Sequence, residues 1–364
     1  MRIHHHDVRD MSLAFGLAFD LRRVMQAGLA LSWTLVVLTG LSAILSWRTS
    51  AGMMTAEGIY VAVSSIGQSP WTPLKVLLFT CMGMSWWVGF AYLCAPIQRG
   101  AALDIARDER ERNPSIPPLN RQAAFAPVIV ALVPLIALLT LALWALLTYI
   151  PGTAGALVAT VALPLVLLVV IPCAAFVVVG TLAAPMMGPT AVVEGRDYLE
   201  AISRPMSYVL QRPGRYFAYW GAKLGVMGAS ALAGGVTLAV AWVFVWLALW
   251  LTGQQELARE SMLQAMADPD VRTASDTALG IAVVFWGSVF MLAAWLAVVG
   301  LSCDMIIYLL MRYQVDGVTF DKIAVAEERL QFAKTALDTA EEAEQARKRF
   351  DALQPEPASA GDSA

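Results

Sequence analysis

Between Arg121 and Glu194 the chain runs for 72 residues, 122–193, without one charged side chain. Such a run outlasts any core helix or strand of a soluble domain. It also exceeds twice the about 20 apolar residues that cross a hydrocarbon layer of about 30 Å. It therefore holds two spans, and Pro151-Gly152-Thr153 near its middle reads as the tight turn between them. The spans are then about 125–150 and 156–180. What remains, from Thr181 to Val193, is too short to cross and carries Pro185, Gly188 and Pro189. A short interfacial or re-entrant piece is expected there.

Four further uncharged runs place the other spans at about 24–47, 76–98, 224–251 and 278–303. Only 15% of the chain is charged, against about a quarter in soluble domains. The expected fold class is all-α: a polytopic transmembrane helix bundle with about six spans as three hairpins, plus cytoplasmic amphipathic helices. Residues 1–23 form a cytoplasmic N-terminal segment and 24–312 the membrane domain. Ile323, Leu330 and Leu337 recur every seven residues, so 313–353 reads as a charged cytoplasmic helix. The tail 354–364 is expected to be disordered. The first apolar run follows Arg22-Arg23 and ends without a small-residue cleavage site, so it reads as a span that stays.

Basic residues give the orientation. With six spans, 21 of the 25 Lys and Arg side chains fall on one side and 4, Arg48, Lys75, Arg259 and Arg272, on the other. Positive charge concentrates on the cytoplasmic side. Both termini are therefore expected in the cytoplasm of a bacterial inner membrane. An odd number of spans would destroy this asymmetry.

The chemistry available is sparse. The three histidines are consecutive, His4 to His6, at a polar terminus. Cys81, Cys94, Cys173 and Cys303 lie in apolar runs with no C-x-x-C spacing, so they read as small apolar residues rather than metal ligands. No G-x-x-x-x-G-K-[ST] phosphate loop occurs. The centres of the spans hold no ionisable residue; Lys223 and Asp304 sit near span ends, where side chains can snorkel. No catalytic residue, cofactor or metal site is expected. The net charge of −3 gives no reason to expect nucleic acid as a partner.

Three weaker patterns mark candidate working residues. Asp197-Tyr-Leu-Glu200 resembles a helix start. Leu199, Ile202, Met206 and Leu210 then recur near helical spacing, flanked by Arg204, Arg212 and Arg215. This predicts an amphipathic helix on the cytoplasmic leaflet, its apolar row facing lipid, the bundle or a partner, its arginines meeting lipid phosphates, and weakened midway by Pro205. Pro134 and Pro172 stand 18 and 20 residues from Gly152, so an antiparallel hairpin brings them to similar depth as candidate hinges. Trp242, Trp246 and Trp250, at i, i+4 and i+8, form an aromatic stripe expected to face lipid. Gly221-x-x-x-Gly225 and Gly234-Gly235 allow close helix approach. Ala95-Pro96 with Arg107-Asp108, and Ala184-Pro185 with Arg196-Asp197, repeat one spacing and hint at related hairpins.

Several tracts resemble an uncharacterised bacterial multi-pass, six-span membrane family of unknown function. They are Ala201-Ile-Ser-Arg204, Ser207-Tyr-Val-Leu-Gln-Arg-Pro213, Arg215-Tyr-Phe, Ile307-Tyr-Leu-Leu-Met-Arg312 with Val315-Asp-Gly317, and Leu13-Ala-Phe15 with Phe19-Asp20-Leu-Arg22. In that family a tract of the first kind precedes the fifth span and one of the Ile307 kind closes the membrane domain. The resemblance implies the architecture and no activity. The sequence-based expectation is a non-catalytic scaffold or assembly factor acting through its cytoplasmic amphipathic segments. Its partners are membrane lipids and either further copies of itself or a cytoplasmic protein. The alternative is a permease or channel subunit moving a small solute or lipid, with a separate ATPase chain.

Overall fold

The computed structural model describes residues 7–46, 73–107, 117–147, 149–150, 153–194, 198–257, 259 and 276–320. The described chain is almost entirely helical and, among these residues, without strands. A 3-10 turn, Val8–Ser12, leads into α1 (Leu13–Leu17) and then α2 (Leu21–Ser46). Next come α3 (Pro73–Arg107), α4 (Pro117–Leu147) and α5 (Thr153–Glu194). The short α6 (Tyr198–Gln211) precedes α7 (Pro213–Leu251) and α8 (Asp276–Asp316). The His4–His6 run, the helix expected beyond residue 320 and the tail 354–364 lie outside the described residues.

Five helices are long and apolar enough to cross a membrane, over Leu21–Leu41, Asn120–Leu147, Gly155–Glu194, Pro213–Leu251 and Gly280–Asp316. The span expected over 76–98 falls in α3, which is 35 residues long but not among the five. Trp86, Trp87, Gly83, Gly89 and Tyr92 dilute its hydropathy, and its side chains before Thr80 are not described. Large apolar side chains cover the outside of the helices, with Leu232 at 71%, Val161 at 74% and Leu168 at 73% exposure. Lipid tails, not water, suit such a surface.

The helices outrun the expected spans at one end. α5 continues through Pro185 and Pro189 to Glu194 instead of breaking after Gly180. Each proline removes a backbone hydrogen bond. Burial of Ala183, Met186, Met187 and Val192 against neighbouring helices holds the helix together regardless. α6 likewise runs through Pro205, whose ring is buried in the bundle. α8 extends 13 residues beyond Cys303, and its segment from Ser302 to Arg312 is buried throughout.

The core is therefore eccentric. Its buried side chains concentrate where α1, the start of α2, the end of α3, the start of α4, the end of α5, α6 and the end of α8 meet. These are the basic ends of the helices. Towards the far ends the helices are mostly exposed: the most apolar stretch of α7 has no buried residue and that of α5 has 6%.

Hairpin register is uniform. In α7 and α8, Met227 lies against Gly300 and Gly234 against Leu292 and Trp295. Trp242 Nε1 donates to Ser288 Oγ at 3.0 Å. In α4 and α5, Trp144 Nε1 donates to the Ala159 carbonyl at 2.9 Å, and Gly180 packs directly on Val130. These two contacts bracket Pro134 and Pro172, which therefore stand at one level.

Candidate functional site

The basic end is tied together by buried charge. Arg23, at the start of α2, pairs with Asp104 near the end of α3 at 2.9 Å. It also donates to the carbonyls of Leu17 at 3.3 Å and Gly100 at 3.1 Å. Arg99 donates to the Val192 carbonyl at 3.0 Å, a cation placed at the negative end of α5. Lys223 of α7 pairs with Asp304 of α8 at 2.6 Å. Snorkelling predicts that these two reach separately for water; burial inside the bundle makes them neutralise each other instead.

Glu194 closes α5 and is the hub of this layer. Arg204 reaches it from α6 at 3.1 Å and Arg312 from α8 at 3.0 Å. The Tyr308 hydroxyl donates to it at 2.8 Å. Arg204 also pairs with Glu200 one turn back, at 2.5 Å. Its guanidinium is held in the charged form by Glu194 and Glu200 against the opposing, largest effect of burial. The Tyr208 hydroxyl donates to Asp316. Burial first, then that bond, pushes the Tyr208 phenol above its ordinary value, so it stays neutral.

This layer decides where the candidate residues of α6 point. Ile202 is buried, together with Ala201, Tyr208 and Val209, and Met206 is half-buried. Leu199, at 73% exposure, and Leu210, at 63%, face outward, as do Arg212 and Arg215. The apolar row of four is thus split: one side chain packs inward, two look out and Met206 lies between. Arg204, expected beside lipid phosphates, spends its guanidinium on Glu194 and Glu200. Phe217 and Trp220, half-exposed, continue the outward surface onto α7. The tryptophan stripe is split too. Trp242 turns into α8, edge-on to Phe285 at 5.1 Å, while Trp246 and Trp250 face out at about half exposure. Of the expected close-approach glycines, Gly234 is used against Leu292, whereas Gly221 and Gly225 meet nothing within 4 Å.

A cavity of about 380 Å³ lies beside the ionic layer, between α3, α4, α5 and α8. Its wall is aromatic and aliphatic, from Trp86 and Phe90 to Ala184 and Pro185. Trp86 stacks on Phe90 at 5.8 Å and donates to Thr34 Oγ1 at 3.0 Å, which fixes the indole. At the other end the cavity meets Gln98 and Asp304. Gly188 lies flat against the Gln98 amide; any side chain there would collide with it. Sequence reasoning missed this cavity and the Glu194 hub. Lys223 and Asp304 did carry a signal, since they stand almost equally far from the middle of the α7–α8 connection.

Among the described residues no group of three or more His, Cys, Asp or Glu side chains is placed to hold a metal. Cys94 and Cys303 are buried, Cys173 is half-buried and Cys81 is exposed, all as free thiols. Comparison of the chain with family models, curated proteins and solved structures finds no match.

Proposed function

We propose that this chain is a non-catalytic six-span protein of the bacterial cytoplasmic membrane, with both termini in the cytoplasm. In this reading it acts as a scaffold or assembly factor. The observation that carries it is the clamping of α6. Arg204, bonded to Glu194 and Glu200, fixes that helix to the ends of α5 and α8. Leu199, Leu210, Phe217 and Trp220 are then presented outward beside Arg212 and Arg215. Rigid presentation lowers the ordering cost of binding a partner. The basic residues suit an anionic leaflet at about 1 kcal/mol each.

The test separates packing from presentation. Leu199→Ser with Leu210→Ser leaves the melting temperature in mild detergent unchanged but releases any co-purifying cytoplasmic chain. Ile202→Ser, at a buried position, lowers stability by about 2–5 kcal/mol. Retention of the partner by the double variant overturns the reading.

A second reading, a permease subunit, is favoured by the cavity alone. It requires a separate ATPase chain in the same pull-down. Either way we propose that the pure chain hydrolyses neither ATP nor lipid esters, since Asp104, Asp304 and Glu194 are committed to ion pairs and the only histidines are His4 to His6.

A further inference from the structure

We infer that the cavity between α3, α4, α5 and α8 is a binding site for one aliphatic chain whose polar end donates hydrogen bonds to Gln98 and Asp304. Shape is the first argument. Trp86 and Gln98 mark its two ends on α3, about 18 Å of helix rise apart. Its volume of about 380 Å³ lies along that wall, a shape that suits a slender apolar ligand.

The second argument is energetic. The apolar walls, from Trp86 and Phe90 to Ala184 and Pro185, offer dispersion contacts to an apolar occupant. In a bilayer the nearest filler is a lipid chain, which meets walls as apolar as its own surroundings. Transfer from lipid into the cavity gains almost nothing from hydrophobicity. Selection must come from fit and from the polar end.

That end has a defined chemistry. Gln98 and Asp304 are both more than nine-tenths buried. Asp304 is neutralised by Lys223 at 2.6 Å, so the floor offers an acceptor without net charge. Gly188 keeps the space in which the Gln98 amide lies. A hydroxyl or ammonium head can donate into this floor. A carboxylate head could accept only from the Gln98 amide and has no proton to give the Asp304 oxygens, so it satisfies the floor less well than a donor does. The ligand class is therefore a long-chain alcohol or amine, or a lipid presenting such a group beside its chain, and not a fatty acid.

The experiment uses the full chain in mild detergent with a diazirine-bearing tetradecanol, crosslinked by light and mapped by peptide mass spectrometry. Labelling is expected in residues 86–98 and 181–188. Tetradecanol and tetradecylamine should displace the probe at least tenfold better than tetradecanoic acid. Ala184→Trp, which fills the cavity, should cut labelling at least tenfold at an unchanged melting temperature. Should that variant fail to fold, Ala91→Phe fills the opposite wall. Labelling that survives the filled cavity, or that spreads evenly along the exposed face of α7, overturns the site. Equal competition by the acid overturns the donor head.

Discussion

Lys223 and Asp304 show how this protein carries charge beside its apolar interior. Each side chain keeps at most 14% of its surface exposed, and each is the other's counter-ion. Removing one partner of a buried pair leaves a bare charge, which costs about 3–5 kcal/mol; replacing both is often neutral. Lys223→Met is therefore expected to lower stability by about that amount. Lys223→Met with Asp304→Asn is expected to recover most of it. Thermal unfolding of the three proteins in one detergent measures the difference. A double variant as unstable as the single one would show that the pair is not the reason. Arg204 and Arg312 on Glu194 follow the same logic. Nothing in the local sequence of α6 singles out Glu194 as the group Arg204 would choose over lipid phosphate.

The prolines speak at the level of the helix. α4 and α5 run unbroken through Pro134 and Pro172, which stand side by side in the hairpin. Each proline deprives the carbonyl four residues earlier, Val130 or Leu168, of its amide donor. Pro172 is exposed, so losing its ring opens no hole. Pro172→Ala is expected to regain the backbone bond and raise stability by up to about 3 kcal/mol. A lowered melting temperature would mean that Pro172 itself helps α5 pack on α4. The break expected after Gly180 failed for a related reason. Pro185 and Pro189 weaken a helix locally, but that segment buries Ala183, Met186, Met187 and Val192, and tertiary burial outweighs propensity.

For the whole molecule, the basic residues bear on which way it sits in the membrane. The described helices bring Arg23, Arg99, Arg204, Lys223 and Arg312 to one end. In the orientation proposed above, from the positive-inside tendency, that end faces the cytoplasm. Cysteine introduced at Ala267 should react with an impermeant thiol reagent applied outside intact cells. One introduced at Ser359 should react only after the membrane is opened. The reverse pattern would invert the topology.

The sequence alone determined the class of this protein. Charge-free runs longer than a bilayer is thick permit only helices that satisfy their own backbone, and among the described residues that is what is found. Hairpin order, the turn near Pro151 and the segregation of basic residues follow from the same one-dimensional pattern. Helix ends, pairings and the cavity do not. Where α5 stops, which way Ile202 and Leu199 face, and whether Asp304 meets water or Lys223 depend on which surfaces approach one another. Those approaches are set by steric fits such as Gly234 on Leu292 and Gly188 on Gln98. Hydropathy is a property of each residue and can be read in order along the chain. Packing and ion pairing belong to pairs of residues, such as Lys223 and Asp304, 81 positions apart, or Glu194 and Tyr308, 114 apart, and only the assembled bundle brings them together.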